Sequence, residues 1–200
     1  MIKAIIFDVD GVIINTGFFT KRLESDFNIP VEKTRSFFKG RFQECQLGKA
    51  DLKEELQKVV SDWGWTKSVD DLLDYWFEDS KNNVNQILVN EIKDYRQNEI
   101  KCYLGTNQEE YRSEYLKNTI GLKNVLDGFF VSSEIGFRKP AKEFFESISK
   151  ELSDLNKTEV LFWDSDEEIV EAAKEFGFNA ELYVGYDDFK SKMTSYLDNK

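Results

Sequence analysis

The chain opens with a short apolar run that leads directly into two acidic residues. Residues 4–7 are Ala-Ile-Ile-Phe, and residues 8–12 are Asp-Val-Asp-Gly-Val. An apolar run of about four to eight residues that ends in a turn signal is typical of a buried strand. Alternate side chains of an extended segment point the same way, so Asp8 and Asp10 can face one site where the strand ends. Gly11 leaves the backbone free to turn directly after them.

The next part of the chain, residues 15–85, has no strong strand pattern and is predicted to be helical. Its apolar residues recur at helical spacing, as in Leu52, Leu56 and Val59, and again in Leu72. The pattern predicts helices over residues 18–27, 31–42, 51–63 and 69–77, with a further amphipathic helix over residues 85–96.

From residue 100 onward, strand and helix patterns alternate. Strands are predicted over residues 100–104, 128–131, 159–163 and 180–184, and helices over residues 109–118, 141–151, 166–176 and 187–197. Such alternation is typical of right-handed β-α-β crossovers in a parallel sheet. We therefore predict an α/β fold: a Rossmann-like parallel sheet core of residues 1–14 and 86–200, with helices on both faces, interrupted by an inserted α-helical domain of residues 15–85.

Composition limits the classes of partner. The chain has 200 residues, 40% of them hydrophobic, which is enough for a substantial core. Its net charge of −11 argues against nucleic acid and anionic membranes as partners, because binding to both relies on spread positive charge. A small phosphorylated ligand needs only a local positive site and stays possible. No apolar run approaches the ~18 residues of a membrane span, and no signal-peptide pattern opens the chain.

The cysteine and histidine content narrows the chemistry. Cys45 and Cys102 have neither metal-ligand nor CxxC spacing, so we expect reduced thiols in a cytoplasmic protein. The chain has no histidine, which excludes histidine-based catalysis and histidine metal ligation.

Three further polar residues follow predicted strands. Thr106 and Asp164 come where two strands end, and Lys139 lies just beyond a third, at the start of a helix. Taken singly, Thr106 or Asp164 is more typical of a helix cap and Lys139 of a solvated surface lysine. Because the carboxyl ends of parallel strands meet at one edge of a sheet, we expect all three to lie beside Asp8 and Asp10.

Such a set suits phosphoryl transfer. Asp8 can attack phosphorus as a carboxylate nucleophile, and Asp10 can protonate the leaving oxygen and later deprotonate water. Mg²⁺ held by Asp8, Asp10 and Asp164 would neutralise the phosphate together with Lys139, while Thr106 donates to a phosphate oxygen.

The order of these residues also resembles a known family. Residues 7–12, 104–107, 138–140 and 162–165 resemble the four motifs of the haloacid dehalogenase superfamily. The helical insert resembles the cap of that superfamily's first subclass, and residues 46–52 resemble the glycine-containing cap segment that borders the active site.

The resemblance implies a Mg²⁺-dependent phosphatase that acts on a small phosphorylated metabolite through an aspartyl-phosphate intermediate. The acid at position 10 favours phosphatases over the dehalogenase branch, which lacks it. The resemblance implies that Asp8 is the nucleophile and a metal ligand, and that Asp10 is the acid/base and binds the metal through its backbone carbonyl. Thr106 and Lys139 would bind phosphate, and Asp164 would bind the metal. Gly11 is expected to allow the turn and the close approach of substrate, and Asn107 to contact substrate or form a turn.

The chain departs from the family pattern after Asp164. Ser165 and Ile169 stand where the fourth motif often has further polar ligands, and Asp166, Glu167 or Glu168 could supply a carboxylate instead. This departure motivates one alternative, a catalytically impaired binding or regulatory module, and a phosphomutase is another. A phosphorylation-receiver domain is disfavoured, because there no acid motif follows the lysine, whereas here Asp164 follows Lys139.

Other residues are weaker candidates. Trp163 is bulkier than the family's usual residue and either packs in the core or narrows the site. We interpret Trp63, Trp65 and Trp76 as core of the helical insert, and Arg41 and Lys49 as minor candidates for substrate contact. The sequence leaves the substrate and the oligomeric state open.

Overall fold

The sheet is parallel throughout. The computed structural model describes residues 1–15 and 17–198. Its five strands are β1 Ala4–Phe7, β2 Lys101–Thr106, β3 Gly128–Val131, β4 Val160–Asp164 and β5 Asn179–Leu182. They pair in the order β3-β2-β1-β4-β5, so the chain runs outward from β1 in one direction and then returns to the other side of it. The predicted parallel α/β fold is confirmed.

The position of β1 at the centre of the sheet explains why its sequence is apolar at every position. All four residues of β1 are fully buried. Ile5 and Phe7 pack into the apolar cluster on one face of the sheet, and Ala4 and Ile6 into the cluster on the other. Successive side chains of a strand point to opposite faces, so a strand covered on both sides needs an uninterrupted apolar run.

The segment between β1 and β2 is helical, as predicted, but its helices are shorter or longer than the pattern indicated. They are α1 Phe19–Phe27, α2 Val31–Lys39, α3 Arg41–Gln46, α4 Leu52–Gln57, α5 Val60–Trp63, α6 Val69–Asn82 and α7 Gln86–Gln97. The predicted helix over residues 31–42 is wrong in its extent because Gly40, a poor helix former with ψ near −98°, separates α2 from α3. The predicted helix over residues 51–63 breaks at Lys58 and Val59. Helix α6 continues past Phe77 to Asn82.

Helices α1 to α6 surround an apolar cluster of their own, in which Leu23, Leu56 and Leu72 are fully buried. Tyr111 and Tyr115, which follow β2, pack against this cluster. The helical insert therefore sits on the part of the core that follows β2. The exact division into a domain of residues 15–85 and a core of residues 1–14 and 86–200 stays a prediction.

The remaining helices cover the sheet. They are α8 Glu110–Glu114, which continues as a π-helical turn over Tyr115–Thr119, α9 Ser132–Ile135, α10 Lys142–Glu151, α11 Glu167–Phe176 and α12 Tyr186–Asp198. Helix α9 is a single short turn that the sequence pattern did not predict. Within residues 1–15 and 17–198, no helix has the length and apolar character needed to cross a bilayer.

Candidate active site

Three of the predicted site residues form a buried ionic cluster at the carboxyl edge of the sheet. Asp8 follows β1, and Asp164 ends the neighbouring strand β4. Lys139 Nζ lies 2.9 Å from Asp8 Oδ1 and 2.6 Å from Asp164 Oδ2, and it also donates to the Gly105 carbonyl at 2.8 Å. The three residues are buried, with Lys139 only 3% exposed. The edge between β1 and β4 is where the strand order reverses, the usual ligand crevice of such sheets.

The cluster has one positive and two negative groups, and this imbalance shifts their pKa values. Burial, with the charges of Asp164 and Asp10, raises the pKa of Asp8 to about 7 against the opposing charge of Lys139. Burial alone would lower the pKa of Lys139, but the charges of Asp8 and Asp164 raise it above its ordinary value. Lys139 therefore stays protonated, and Asp8 holds a proton more readily than an ordinary aspartate.

Asp10 lies beside this cluster but is held by different partners. Arg112 donates to both of its carboxylate oxygens, at 2.6 and 2.7 Å, and Gln108 Nε2 donates at 2.7 Å. Burial opposes ionisation of Asp10, but the charge and hydrogen bonds of Arg112 outweigh it and hold the pKa of Asp10 below its usual range. The Asp10 side chain is still 44% exposed, so its carboxylate can be reached from the cleft.

Gly11 is required by the turn that follows the two acids. Its φ is +82°, and a Cβ added there would come within 2.7 Å of Ser165 Oγ. That same hydroxyl donates to the backbone carbonyl of Asp10 at 2.9 Å. Ser165, one of the departures from the family pattern, thus fastens the β1 turn to the end of β4.

The loop after β2 is held against the loop that carries Lys139. Thr106 is buried at the end of β2. The Asn107 amide donates to the Lys139 carbonyl at 2.9 Å and accepts from the Lys139 N–H at 2.8 Å. The Asn107 side chain therefore braces the backbone of Lys139, and Asn107 also lines the cavity beside Asp10, so its role in substrate contact stays a prediction.

The helical insert meets this loop through the predicted border segment, residues 46–52. Gln46 Nε2 donates to the Asn107 carbonyl at 2.8 Å, and Ser132 Oγ donates to the Gln46 carbonyl at 2.6 Å. A Cβ at Gly48 would lie 2.3 Å from the Ser133 carbonyl, so only glycine permits this approach.

The suggested substitute carboxylates do not join the cluster. Asp166 accepts from the Glu168 N–H and caps α11, and Glu167 and Glu168 are exposed. Ile169 packs in the core, and Trp163 is fully buried there, which confirms its core interpretation. The departure at position 169 therefore contributes packing rather than a ligand.

The two minor candidates for substrate contact in the insert, Arg41 and Lys49, do not line the cavity beside Asp10. Arg41 is paired with Glu55 by two hydrogen bonds of 2.8 and 3.0 Å, and Lys49 lines a different cavity from the one beside Asp10. Trp63 and Trp65 are buried in the insert, as predicted. The interpretation is incomplete for Trp76, which is half-buried and lines the cavity beside Asp10.

Sequence reasoning missed Arg112 and Gln108. Both follow Thr106 closely, and this proximity to a predicted strand end was the available signal. Arg112 lies in α8 and is separated from Asp10 by 102 positions, so no local pattern links them.

The donor set at this edge fits a hard divalent cation. Asp8 and Asp164 share one lysine, which leaves a net negative charge in a buried place, and the Asp10 carbonyl lies at the same edge of the sheet. Magnesium prefers such oxygen ligands and keeps several waters. Among the described residues, no three acidic, cysteine or histidine side chains form a metal cluster. A cation here would therefore use two carboxylates, one backbone carbonyl and water.

Comparison with known proteins identifies the family. The model of the haloacid dehalogenase-like hydrolase family matches residues 2–177. The chain belongs to the haloacid dehalogenase-like (HAD-like) hydrolases. The sequence resemblance is confirmed on this point, and the match includes all the candidate site residues.

Solved structures show the same fold at low identity. A predicted HAD-like family hydrolase from Porphyromonas gingivalis is 19% identical with a TM-score of 0.80, and each chain is covered in full. A HAD family enzyme of Bacteroides thetaiotaomicron, in complex with magnesium and inorganic phosphate, is 18% identical with a TM-score of 0.77, covering 94% of this chain and 97% of that one. The L-2-haloacid dehalogenase of Xanthobacter autotrophicus is 19% identical with a TM-score of 0.65, covering 98% and 83%.

These structural neighbours include a dehalogenase as well as an enzyme that binds magnesium and phosphate. The comparisons therefore show a HAD-like hydrolase and do not distinguish a finer activity. Among proteins with curated descriptions, none matches the chain.

Proposed function

We propose that this HAD-like hydrolase is a Mg²⁺-dependent phosphomonoester hydrolase that acts on a small phosphorylated metabolite through an aspartyl-phosphate at Asp8. The observation that carries the proposal is the pairing of Asp8 with Lys139 beside a second acid, Asp10, which hydrolysis of a phosphate ester needs as a proton donor. The Bacteroides neighbour that binds magnesium and phosphate supports the same chemistry. The predicted cytoplasmic location stays a prediction.

The first step transfers the phosphoryl group to Asp8. An Asp8 oxygen forms a bond to phosphorus as the bond from phosphorus to the ester oxygen breaks. Asp10 gives a proton to the departing ester oxygen, which leaves as an alcohol. Because Arg112 holds Asp10 ionised, we infer that their contact loosens when substrate binds and the carboxylate takes up a proton.

The second step releases phosphate. Asp10, now ionised, takes a proton from a water molecule as the water oxygen bonds to phosphorus. The bond from phosphorus to Asp8 breaks, and Asp8 is restored as a carboxylate. Mg²⁺ bound by Asp8, Asp164 and the Asp10 carbonyl would neutralise charge on the phosphoryl oxygens. Lys139 supplies the fixed positive charge of the site, and Thr106 is assigned a hydrogen bond to a phosphoryl oxygen.

A test compares phosphate release from a panel of phosphomonoesters by wild type and Asp8→Asn, with Mg²⁺ and with chelator. We expect turnover that needs the metal and is lost in Asp8→Asn. Folded wild type that releases no phosphate from any ester would instead favour the impaired binding module, and metal titration of that protein would show whether the cation site survives. Recovery of an isomeric phosphate ester in place of free phosphate would indicate a mutase.

A further inference from the structure

A cavity of about 420 Å³ opens directly beside the proposed acid/base. Its floor includes Asp10, Gln108 and Arg112, and its walls come from the helical insert. Five aromatic side chains line those walls, and we call them the aromatic chamber: Phe18, Phe19, Phe38, Phe42 and Trp76.

The aromatic chamber is built as a connected set of rings. Phe19 stacks on Trp76 with centroids 4.4 Å apart and planes 11° apart. Phe38 meets Trp76 edge-on at 5.5 Å, and Phe42 is tilted against Trp76 at the same distance. Three of these rings are only half-buried, so part of their surface still faces the cavity. Trp76 is therefore packed by three neighbouring rings and still has surface that lines the cavity.

Phe18 gives the second observation. Its side chain is 75% exposed although it lines the cavity, and the other exposed large apolar residues of the described chain, Met1, Ile87, Phe137 and Val184, do not. Burying a phenylalanine side chain is favourable, so this one has apolar surface left for a ligand to cover.

The charges that face the cavity are already balanced. Arg22 lies 3.2 Å from Asp79, and Arg112 is held by Asp10 at 2.6 Å. No other cationic side chain lines this cavity among the described residues. A substrate with a second phosphate or a carboxylate would therefore bring a negative charge into the cavity with no unpaired cation to receive it.

We propose that the aromatic chamber binds the leaving group of the substrate, and that this group is an uncharged alcohol with an aromatic ring. The inference rests on the proposed phosphatase function and narrows its substrate class to aryl or arylmethyl phosphates. The volume agrees, because a cavity of roughly 150 Å³ is enough to hold benzene. A single ring, or two fused rings, fits in the chamber with the ester oxygen toward Asp10.

The first experiment compares esters whose leaving groups have similar intrinsic reactivity: benzyl, naphthylmethyl and ethyl phosphate, with glucose 6-phosphate as the polar reference. We expect kcat/KM for benzyl phosphate to exceed that for ethyl phosphate by about tenfold or more, the size expected for burying one ring. Equal values, or a preference for glucose 6-phosphate, would overturn the inference and leave the phosphatase proposal intact.

Phe18→Ser tests the chamber with little risk to the fold. Phe18 precedes α1 as its N-cap, and serine is a favoured residue at that position. We expect the ratio of kcat/KM for benzyl phosphate to that for ethyl phosphate to fall by about threefold to tenfold in the variant, because ethyl phosphate has no ring to contact position 18. Ile87→Ser is the matched control, since Ile87 is an exposed apolar residue outside the chamber. Equal effects of the two substitutions on benzyl phosphate would contradict the inference.

Asp79→Asn tests the charge balance. This substitution removes the carboxylate that pairs with Arg22, while the hydrogen bond from Arg22 to the Tyr75 carbonyl stays in place. A benzyl phosphate with a carboxylate on its ring should therefore gain in kcat/KM, while benzyl phosphate itself should not. An equal change for the two esters would refute the argument from paired charges.

Binding separates failure of this inference from failure of the proposed function. Benzyl and ethyl phosphate are titrated into Asp8→Asn, and tryptophan fluorescence reports contact with Trp76. Selective binding of the benzyl ester without turnover in wild type would refute the phosphatase and support the chamber. Absence of selectivity would refute the chamber whether or not wild type turns over.

Discussion

Lys139→Met removes the positive charge that pairs with both buried carboxylates, Asp8 and Asp164. The lysine nitrogen lies within 2.9 Å of both carboxylates and is nearly inaccessible to solvent. Methionine keeps most of the side-chain volume, so the change removes charge and hydrogen bonds rather than packing. We expect the folded protein to lose stability, because the two carboxyl groups then stay buried with no cation between them.

The size of the expected loss of folding stability follows from the burial of the ion pair. Removing one partner of a buried ion pair costs about 3–5 kcal/mol, whereas an exposed pair is worth about 0–1 kcal/mol. Since Asp8 and Asp164 are buried, the larger range applies at neutral pH. Lys142 provides the control: it is 74% exposed and pairs with Glu146 one helical turn away. Lys142→Met should cost less than about 0.5 kcal/mol.

The loss also depends on pH in a predictable direction. Without Lys139, the pKa of Asp8, which burial already raises, loses the neighbouring charge that lowers it, so the folded variant binds more protons than folded wild type. Its free energy of unfolding, relative to wild type, therefore rises as pH falls and decreases as pH increases. Urea unfolding of both variants and wild type at about pH 5.5 and about pH 8 measures this. Equal losses for Lys139→Met and Lys142→Met, or a loss that grows toward acid pH, would refute the reasoning.

Three further predictions concern the groups around this cluster. Arg112→Gln should raise the pKa of Asp10 in the free enzyme, so the descending limb of the kcat/KM profile for benzyl phosphate should move to higher pH. A limb that stays in place would contradict the role of Arg112. Calorimetric titration should show Mg²⁺ affinity increasing as pH rises toward about 7 and levelling off above it, because protonated Asp8, with its pKa near 7, cannot bind the cation; affinity independent of pH would speak against Asp8 as a ligand. Gly11→Ala should lower the free energy of unfolding, measured in urea, by more than Gly136→Ala does. Both glycines have φ near +80°, but of the two only Gly11 has a side chain that an added Cβ would meet. Equal losses in the two variants would mean that the contact at Gly11 is relieved without strain.

The fold could be predicted because its central strands, β1 and β4, are covered on both faces. An uninterrupted apolar run such as Ala4–Phe7 has few other structures available to it, and alternation with helices fixes a parallel sheet. Parallel strands then bring their carboxyl ends to one edge, which is why the sequence predicts that Asp8, Lys139 and Asp164 lie near one another.

The remaining site features depend on contacts between distant parts of the chain. Arg112 has the spacing of an ordinary helical residue, and its pairing with Asp10 arises only when α8 lies next to the turn that follows β1. The same is true of Trp76, whose helical spacing predicts burial in the insert but not that its free face borders a cavity. Single residues determine where some helices end, as Gly40 does between α2 and α3. The periodic spacing of apolar residues does not predict such ends.

The most direct measurement is a single-turnover reaction of wild type with benzyl phosphate and Mg²⁺, quenched in acid and followed by mass spectrometry of the intact protein and its peptides. We expect a transient phosphoryl adduct on the peptide that contains Asp8, formed before phosphate appears and absent in Asp8→Asn. Release of phosphate with no adduct at any time, or an adduct on a different residue, would contradict the proposed aspartyl-phosphate mechanism.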